Sequence, residues 1–568
     1  MLAAVGADWP ADLPALTDRI LRGRGLRFAS ELELRLAHLP PPHGLSGLDA
    51  AVALLRQAIV AQERILVVGD FDADGATGTA IAVRGLRLLG ARHVDFRVPD
   101  RMRHGYGLSP LLVDELDPLP DLLLTVDQGT SSLAGVAQAN ARGIRVLITD
   151  HHLPGPVLPP AAAIVNPNLP GEHFRGQHLC GAAVMFYVLL ALRAALRQSG
   201  AFAPGSEPNL AALLDLVALG TVADLVPLDQ GNRILVQHGL QRMRAAQAHP
   251  GVLALLQVGG RDPTQTDASD LGFVVAPRLN AAGRLDDMAI GIRCLLADDP
   301  AEAQQLAAQL DTLNRERRDW QQLMQSEALA VVSLEIERLA RLGSEPPPVL
   351  VLADAEWHAG VVGLVASKLV ERFHRPAFVF APGGDDGLWR GSARSIPGLH
   401  LRDAIALTDT RHPGLIARFG GHAMAAGLAC TPAALGALTI ALQDAIATLL
   451  DPDLLARKIW TDGSLAPEQL SLDTAFALRQ LGPFGQQFPP PVFDDVFQLL
   501  DWKVLKDRHR KLRVRHRDGG KVLDAVWFNC SDLPEPPASG SVRLLYALEP
   551  NNYRDLWSVQ LRVERLVH

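Results

Sequence analysis

At 568 residues the chain is too long for a single hydrophobic core, which stops growing near roughly 250–300 residues, so three or four domains are expected. Hydrophobic residues make up 48% and charged residues 20%, which excludes a disordered chain and fits a folded globular protein. The net charge of -8 does not announce a nucleic-acid binder, although a whole-chain sum hides any local basic stripe.

The first residues, MLAAVGADWPADLPALTDRI, carry no basic residue before Arg19 and a proline at position 10, so they lack the layout of a signal peptide. From about residue 50 helices and strands alternate: a helix LDAAVALLRQAIVA, the strand RILVVG, a helix GTAIAVRGLRLLG, then the strands HVDFRV and DLLLTV. A helix through AGVAQANARG and the strand IRVLIT follow. This order reads as βαβ units on a parallel sheet whose short apolar strands are buried on both faces. The apolar run LCGAAVMFYVLLAL, residues 179–192, is shorter than the ~20 residues a membrane span needs and is expected to be a buried helix.

A long helical stretch is expected from about Asp298 to Ala340, ending in the breaker GSEPPP, with a domain boundary near Pro346. A second α/β segment follows, with strands VLVLA and AFVFA flanking the helix VVGLVASKLVERF. After about residue 455 come five short strand candidates, FQLLDWKVL, KLRVRHR, VLDAVWF, VRLLYAL and WSVQLRVERL, the pattern of a small β-barrel of the OB type. Cys180, Cys294, Cys430 and Cys530 are far apart with no C-x-x-C pair. That removes a zinc ribbon, argues against a disulfide framework, and suits a reducing cytoplasm.

Chemistry concentrates where strands end. In VVGDFDADGATGTA, Asp70, Asp72 and Asp74 alternate directly after a strand; carboxylates so crowded are costly unless a cation neutralises them, and oxygen-rich sites suit Mg²⁺ or Mn²⁺. A helix cap beside a solvated acidic turn is the plainer reading of that segment alone. Asp127 ends a second strand in LLLTVDQGTSS, and Asp150, His151 and His152 end a third in VLITDHHLPG. Neutral imidazole is a common ligand for transition metals. Asp224 interrupts the apolar context LVALGTVADLVPL, where a carboxylate needs a partner. Recurrence at one sheet edge is the point, because open α/β sheets place their ligands there.

These four segments, in this order, resemble the DHH phosphoesterase family, named for the triplet at residues 150–152. The resemblance implies two divalent cations, Mn²⁺ or Mg²⁺, held by Asp70, Asp72, Asp74, Asp127, His151 and Asp224, with Asp127 bridging them. It further implies that His152 faces the scissile phosphate and that Asp150 orients a ligating imidazole. Two features depart from the family pattern: Gln128 stands where relatives often have Asn, and Asp70 stands near a position where others use histidine, which leaves direct ligation by Asp70 open. Phosphodiester hydrolysis is the natural chemistry of such a pair of ions.

The later motifs separate branches of the family, which also contains pyrophosphatases, phosphodiesterases of small substrates, and non-catalytic helicase partners that have lost ligands. RLNAAGRLDD, with Arg278, Asn280 and Arg284, and then WHAGVVGLVASKL, RGSARS and RFGGHAMAAGL resemble the exonuclease branch and its DHH-associated domain. Ser392, Arg394, Gly420, Gly421 and His422 are the expected phosphate contacts there. LGPFGQQFPPPVF and the strands after it resemble that branch's OB domain, whose most basic run contains Lys511, Arg513 and Arg515, with Trp527, Tyr553 and Trp557 as stacking candidates.

The resemblance divides the chain into an N-terminal segment (1–45), a DHH catalytic domain (46–230), a helical connection (231–345), a DHH-associated domain (346–454) and an OB-fold domain (455–568). It implies a cytoplasmic 5′ to 3′ exonuclease specific for single-stranded DNA, acting in recombination and repair alongside a helicase and a single-strand-binding protein, without a membrane. A narrow passage between the two α/β domains is expected to keep duplexes out.

Overall fold

The computed structural model describes residues 4–101, 103–341, 346–383, 386–531, 533–553 and 556–567. Five strands, β1 (Ile65–Val68), β2 (Val94–Arg97), β3 (Leu122–Val126), β4 (Arg145–Thr149) and β5 (Ala163–Val165), form one sheet in the order β2-β1-β3-β4-β5. Every pairing in it is parallel. Leu122, Leu123, Leu124 and Val126 of β3 are all buried, because helices cover both faces of such a sheet and leave no strand position for water. The chain leaves β1 toward β2 on one side and returns to β3 on the other, so the carboxyl ends of β1 and β3 flank the crevice where the winding reverses. Asp70 and Asp127 follow those two ends.

The apolar run read as a buried helix is the helix Gly181–Gln198, long and apolar enough to cross a membrane by length and composition, with 61% of its span buried. It packs against the helices Ala73–Leu88 and Leu214–Ala223 as part of the catalytic core.

A second sheet, β6 (Leu350–Ala353), β7 (Ala377–Pro382), β8 (Trp389–Arg394), β9 (Arg418–Gly421) and β10 (Ala425–Cys430), has the order β6-β7-β8-β10-β9. Only β6 and β7 run parallel; the other neighbours are antiparallel. The helix Pro300–Arg341, 42 residues long, joins the two sheets and at 1.5 Å per residue spans roughly 60 Å. Its Ala303, Ala307 and Leu310 belong to the core of the first unit, whereas Met324, Ala328 and Val332 belong to the core of the second. Between Leu313, which still packs on the first core, and Met324, the helix gives no hydrophobic side chain to either core among the described residues.

The third unit is a closed barrel of β11 (Phe493–Leu505), β12 (His509–His516), β13 (Val522–Trp527), β14 (Gly540–Tyr553) and β15 (Leu556–Val567). Strand closure removes the exposed edges an open sheet would present. The barrel returns to the start of the chain: Ile20 lies in its core, Arg24 pairs with Asp462, and the Gln486 carbonyl accepts from the Leu228 amide at 2.8 Å. It also reaches the long helix, where Arg508 donates to Gln322 Oε1 at 3.3 Å. The units therefore form a closed circuit of contacts.

Candidate metal centre

The loop leaving β1 turns straight into the helix Ala73–Leu88, with Asp72 as its N-cap accepting from the Gly75 amide at 3.0 Å. The helix Ala276–Leu285 holds this loop in place. Asn280 Oδ1 accepts from the Ala73 amide at 2.8 Å, and a side chain at Gly283 would run into the Phe71 carbonyl. Asp74 lies under the N-terminus of the helix Gly181–Gln198, whose Gly181 and Ala182 amides donate to its two oxygens at 2.6 and 3.0 Å. Free amides and the helix dipole both favour a carboxylate at that end. Position 181 must be glycine because a Cβ there would press into the Asp127 side chain.

Asp127 follows β3 with φ of 62°, a left-handed conformation that a non-glycine residue holds at a cost and that gathers at functional sites. Its Oδ1 lies 3.1 Å from His151 Nε2, and neither atom makes a hydrogen bond. His151 Nε2 is also 3.5 Å from Asp224 Oδ2 and 4.0 Å from Asp74 Oδ2. Ligand atoms lie within 4.8 Å of one another in three overlapping triads: Asp70 with Asp72 and Asp127, Asp74 with His151 and Asp224, and Asp127 with His151 and His152. All six residues expected as ligands meet in one place, and Asp127 belongs to two of the triads.

The electrostatics call for positive charge. Burial, followed by the nearby Asp72, raises Asp70 to about 8 and Asp74 to about 6. Burial and then the charge of Asp74 push both Asp127 and Asp224 well above the usual carboxylate range. Asp70, Asp127 and Asp224 so placed are ionised at neutral pH only when a cation joins them. Two buried ligand-type atoms that face each other unsatisfied, amid oxygen donors and one imidazole, fit divalent Mn²⁺ or Mg²⁺.

Asp150 behaves oppositely. Burial would raise it, but the hydrogen bond and charge of His152 and two backbone donors outweigh burial and hold it near about 2. Its Oδ1 accepts from the amides of His151 and His152 and bonds His152 Nδ1 at 2.9 Å, while Oδ2 accepts from the Thr130 amide. The imidazole that Asp150 orients is therefore that of His152. The reason is local: the carboxylate folds back over the next two amides as strand β4 ends, and His152 is the ring within reach. His152, lowered by burial but raised more by Asp150, reaches about 9. Gln128 is buried and donates to the Val68 carbonyl at 3.2 Å, tying β3 to β1.

Around the acidic cluster stand arginines and the second sheet. Arg101 lies over the Phe71 ring, 4.3 Å from its centre, near Asp70 and Asp72. Arg284 donates to the Gly360 carbonyl at 3.1 Å. Burial and then Arg101, Arg394 and Arg317 lower it to about 9. Arg394 and Ser392, on β8, lie beside Gly363 at the start of the helix Val362–Phe373. His422 stacks on His152 with ring centres 6.0 Å apart, bringing the second sheet onto the metal centre. Gly421 precedes it with φ of 135°, and Gly420 has open space where a Cβ would stand.

Several expected contacts lie elsewhere. Arg278 turns inward, buried against Asp311 and the Val274 carbonyl, and Asn280 is taken up by the metal loop. On the barrel, Lys511 pairs with Asp524 at 2.7 Å and Arg513 with Asp501 at 2.8 Å, while Arg515 is exposed. Trp527 is core rather than platform. Trp557 is 40% exposed and leans on Phe476, and the side chain of Tyr553 lies outside the described residues. Sequence reasoning missed Gly181 inside an apolar run, and Arg101, a lone arginine in a loop with no periodic signal.

The chain matches the DHH family, N-terminal domain, over residues 64–221, the DHHA1 domain over 347–448 and the RecJ OB domain over 461–565. It is 49% identical over 561 residues to the single-stranded-DNA-specific exonuclease RecJ of Dickeya dadantii, covering 98% of this chain and 96% of that protein. To the protein of the same name from Escherichia coli it is 47% identical over 565 residues, covering 99% and 97%. The crystal structure of RecJ in complex with Mn²⁺ from Thermus thermophilus superposes with a TM-score of 0.80 at 31% identity, covering 100% of this chain and 79% of that one.

Proposed function

The chain belongs to the RecJ family of single-stranded-DNA-specific exonucleases, and from that premise we propose that it shortens single-stranded DNA from the 5′ end by hydrolysis at a pair of divalent cations. It is a metal-dependent nuclease. Asp70, Asp72, Asp74, Asp127, His151 and Asp224 would hold the ions, with Asp127 shared. When bound, such ions lower the pKa of a water and neutralise phosphate oxygens. The observation that carries this reading is the facing, unsatisfied pair of Asp127 Oδ1 and His151 Nε2.

The protein's own groups supply the rest. His152, oriented by Asp150 and backed by His422, can hold a proton and a phosphate oxygen. Arg101, Arg284 and Arg394, with Ser392, form a cationic recess beside the ligands that suits a terminal 5′-phosphate through charge-assisted hydrogen bonds. A terminus held there fixes which end is cut. Closely apposed α/β units favour a flexible strand over a duplex. A helicase that unwinds and a binding protein that covers single strands are the partners that such an enzyme needs, in the cytoplasm.

The test is cleavage of 5′-phosphorylated single strands with Mn²⁺, set beside a blunt duplex and a 3′-phosphorylated strand. Mononucleotides released from the 5′ end of the single strand are expected. Equal cutting of the blunt duplex, or release from the 3′ end, would overturn the proposal.

A further inference from the structure

Arginine is usually matched by acid when it is partly buried, yet Arg284, Arg317 and Arg394 are not, and the exposed Arg101, Arg318 and Arg508 lie along the same path. Among the described residues, Arg101, Arg394, Arg284, Arg317, Arg318 and Arg508 form no ion pair, in a chain that has many. They follow one another in space. Arg284 lies near Arg101, Arg394 and Arg317, Arg317 lies near Arg318, and Arg508 reaches the same stretch of the long helix at Gln322. Arg317 spends its donors on neutral groups, Gln321 Oε1 at 2.9 Å and Asn314 Oδ1 at 2.8 Å, and its Nε has no partner.

Beside this series stands a half-exposed aromatic. Trp320 is one turn beyond Arg317, in the part of the helix between the two cores, and is 41% exposed. His358 braces it, ring centres 5.9 Å apart and tilted by 33°. The bracing leads back to the metal centre: His358 Nδ1 accepts from the Gly360 amide at 3.1 Å, and the Gly360 carbonyl accepts from Arg284. An exposed, braced indole set among unpaired guanidinium groups is the combination that binds single strands without reading sequence, because every base has a face to stack and every nucleotide a phosphate.

We propose that Trp320, braced by His358, is a base-stacking platform for the substrate strand on the 3′ side of the scissile bond, with Arg317, Arg318 and Arg508 taking the phosphates around it. This rests on the reading of the protein as a single-strand exonuclease. The platform lies between the metal centre and the barrel, so it keeps the strand aligned while the first nucleotide is cut. The barrel then acts on the strand through its Arg508 edge.

The test compares first-cut kinetics on a twenty-nucleotide 5′-phosphorylated strand, which spans the platform, with those on a 5′-phosphorylated dinucleotide, which ends before it. Loss of one stacked base costs roughly tenfold. Trp320→Ala is expected to raise the ratio of long-strand to dinucleotide KM by about that factor with kcat held, and Trp320→Phe to recover most of it. An unchanged ratio in Trp320→Ala would overturn the platform, as would a loss that strikes the dinucleotide equally. A wild-type protein inert on both substrates would instead overturn the exonuclease reading, and the platform with it.

Discussion

The chain is rich in charge at two places, the acidic cleft of the first sheet and the basic hairpin of the barrel, and the two are built differently. In the cleft, charges of one sign are buried together in excess of the cations beside them, His152 and Arg101: Asp127 and Asp224 are held far above the usual carboxylate range, and ligand atoms are left unsatisfied. On the barrel, Arg513 and Lys511 each face a carboxylate on a neighbouring strand, and Arg510 is buried against the Leu533 and Pro534 carbonyls. Balance accounts for these barrel pairs as structure, whereas imbalance in the first region requires something from outside. Density of charged residues marks neither; the missing partner does.

Breaking the imbalance should have the largest effect. Asp127→Ala is expected to lower kcat with Mn²⁺ on the order of 10³-fold or more, the scale of losing one electrostatic stabiliser of a transition state, with circular dichroism unchanged. An Asp127→Ala protein that still cuts would remove Asp127 from the site.

The same imbalance should appear as pH-dependent stability in metal-free protein. Asp70, raised from 3.8 to about 8, and His152, raised from 6.5 to about 9, bind protons more tightly folded than unfolded. Their contribution is complete below the unfolded value and is lost as pH rises through the folded one. His151, pushed down to about 3 chiefly by burial, works in the other direction, but only below its ordinary 6.5. Tm of the metal-free protein should therefore fall between about pH 6.5 and 8.5. Mn²⁺ at a hundredfold excess over its Kd should restore about 2.7 kcal/mol. A flat profile without metal would contradict the account.

Asp150→Asn sharpens the comparison inside the cleft, since the protein's own donors hold Asp150 below the usual carboxylate range. Its loss should cost roughly 10–100-fold in activity, as for groups that orient a site from behind, with metal stoichiometry by calorimetry unchanged. The smallest effect is expected on the barrel. Arg513→Gln breaks an exposed pair worth about 0.2–1 kcal/mol, so KM for single strands should shift by less than about fivefold.

What the sequence showed follows the same division. Asp70, Asp72, Asp74, Asp127 and the triplet at 150–152 are legible because a short apolar strand announces where its carboxyl end lies, and parallel sheets gather those ends. The barrel was legible from five short strand candidates separated by turn residues. Contacts formed between distant segments were not. Nothing local to an apolar helix says that its Gly181 amide will meet Asp74, and nothing in RLNAAGRLDD says that Arg278 turns to Asp311 while Arg284 turns to Gly360. Six residues, about one and two-thirds helical turns, separate those arginines, and their fates depend on which unit packs on which side. Trp320 was hidden for a related reason: its exposure depends on a gap between two cores that only the fold creates.

The most direct measurement is anomalous diffraction at the manganese edge from crystals soaked in Mn²⁺. The account predicts two ions about 3.5–4 Å apart, with Asp127 reaching both and His151 and Asp224 among the remaining ligands. Manganese bound away from these residues, in a protein that still hydrolyses single strands, would contradict it.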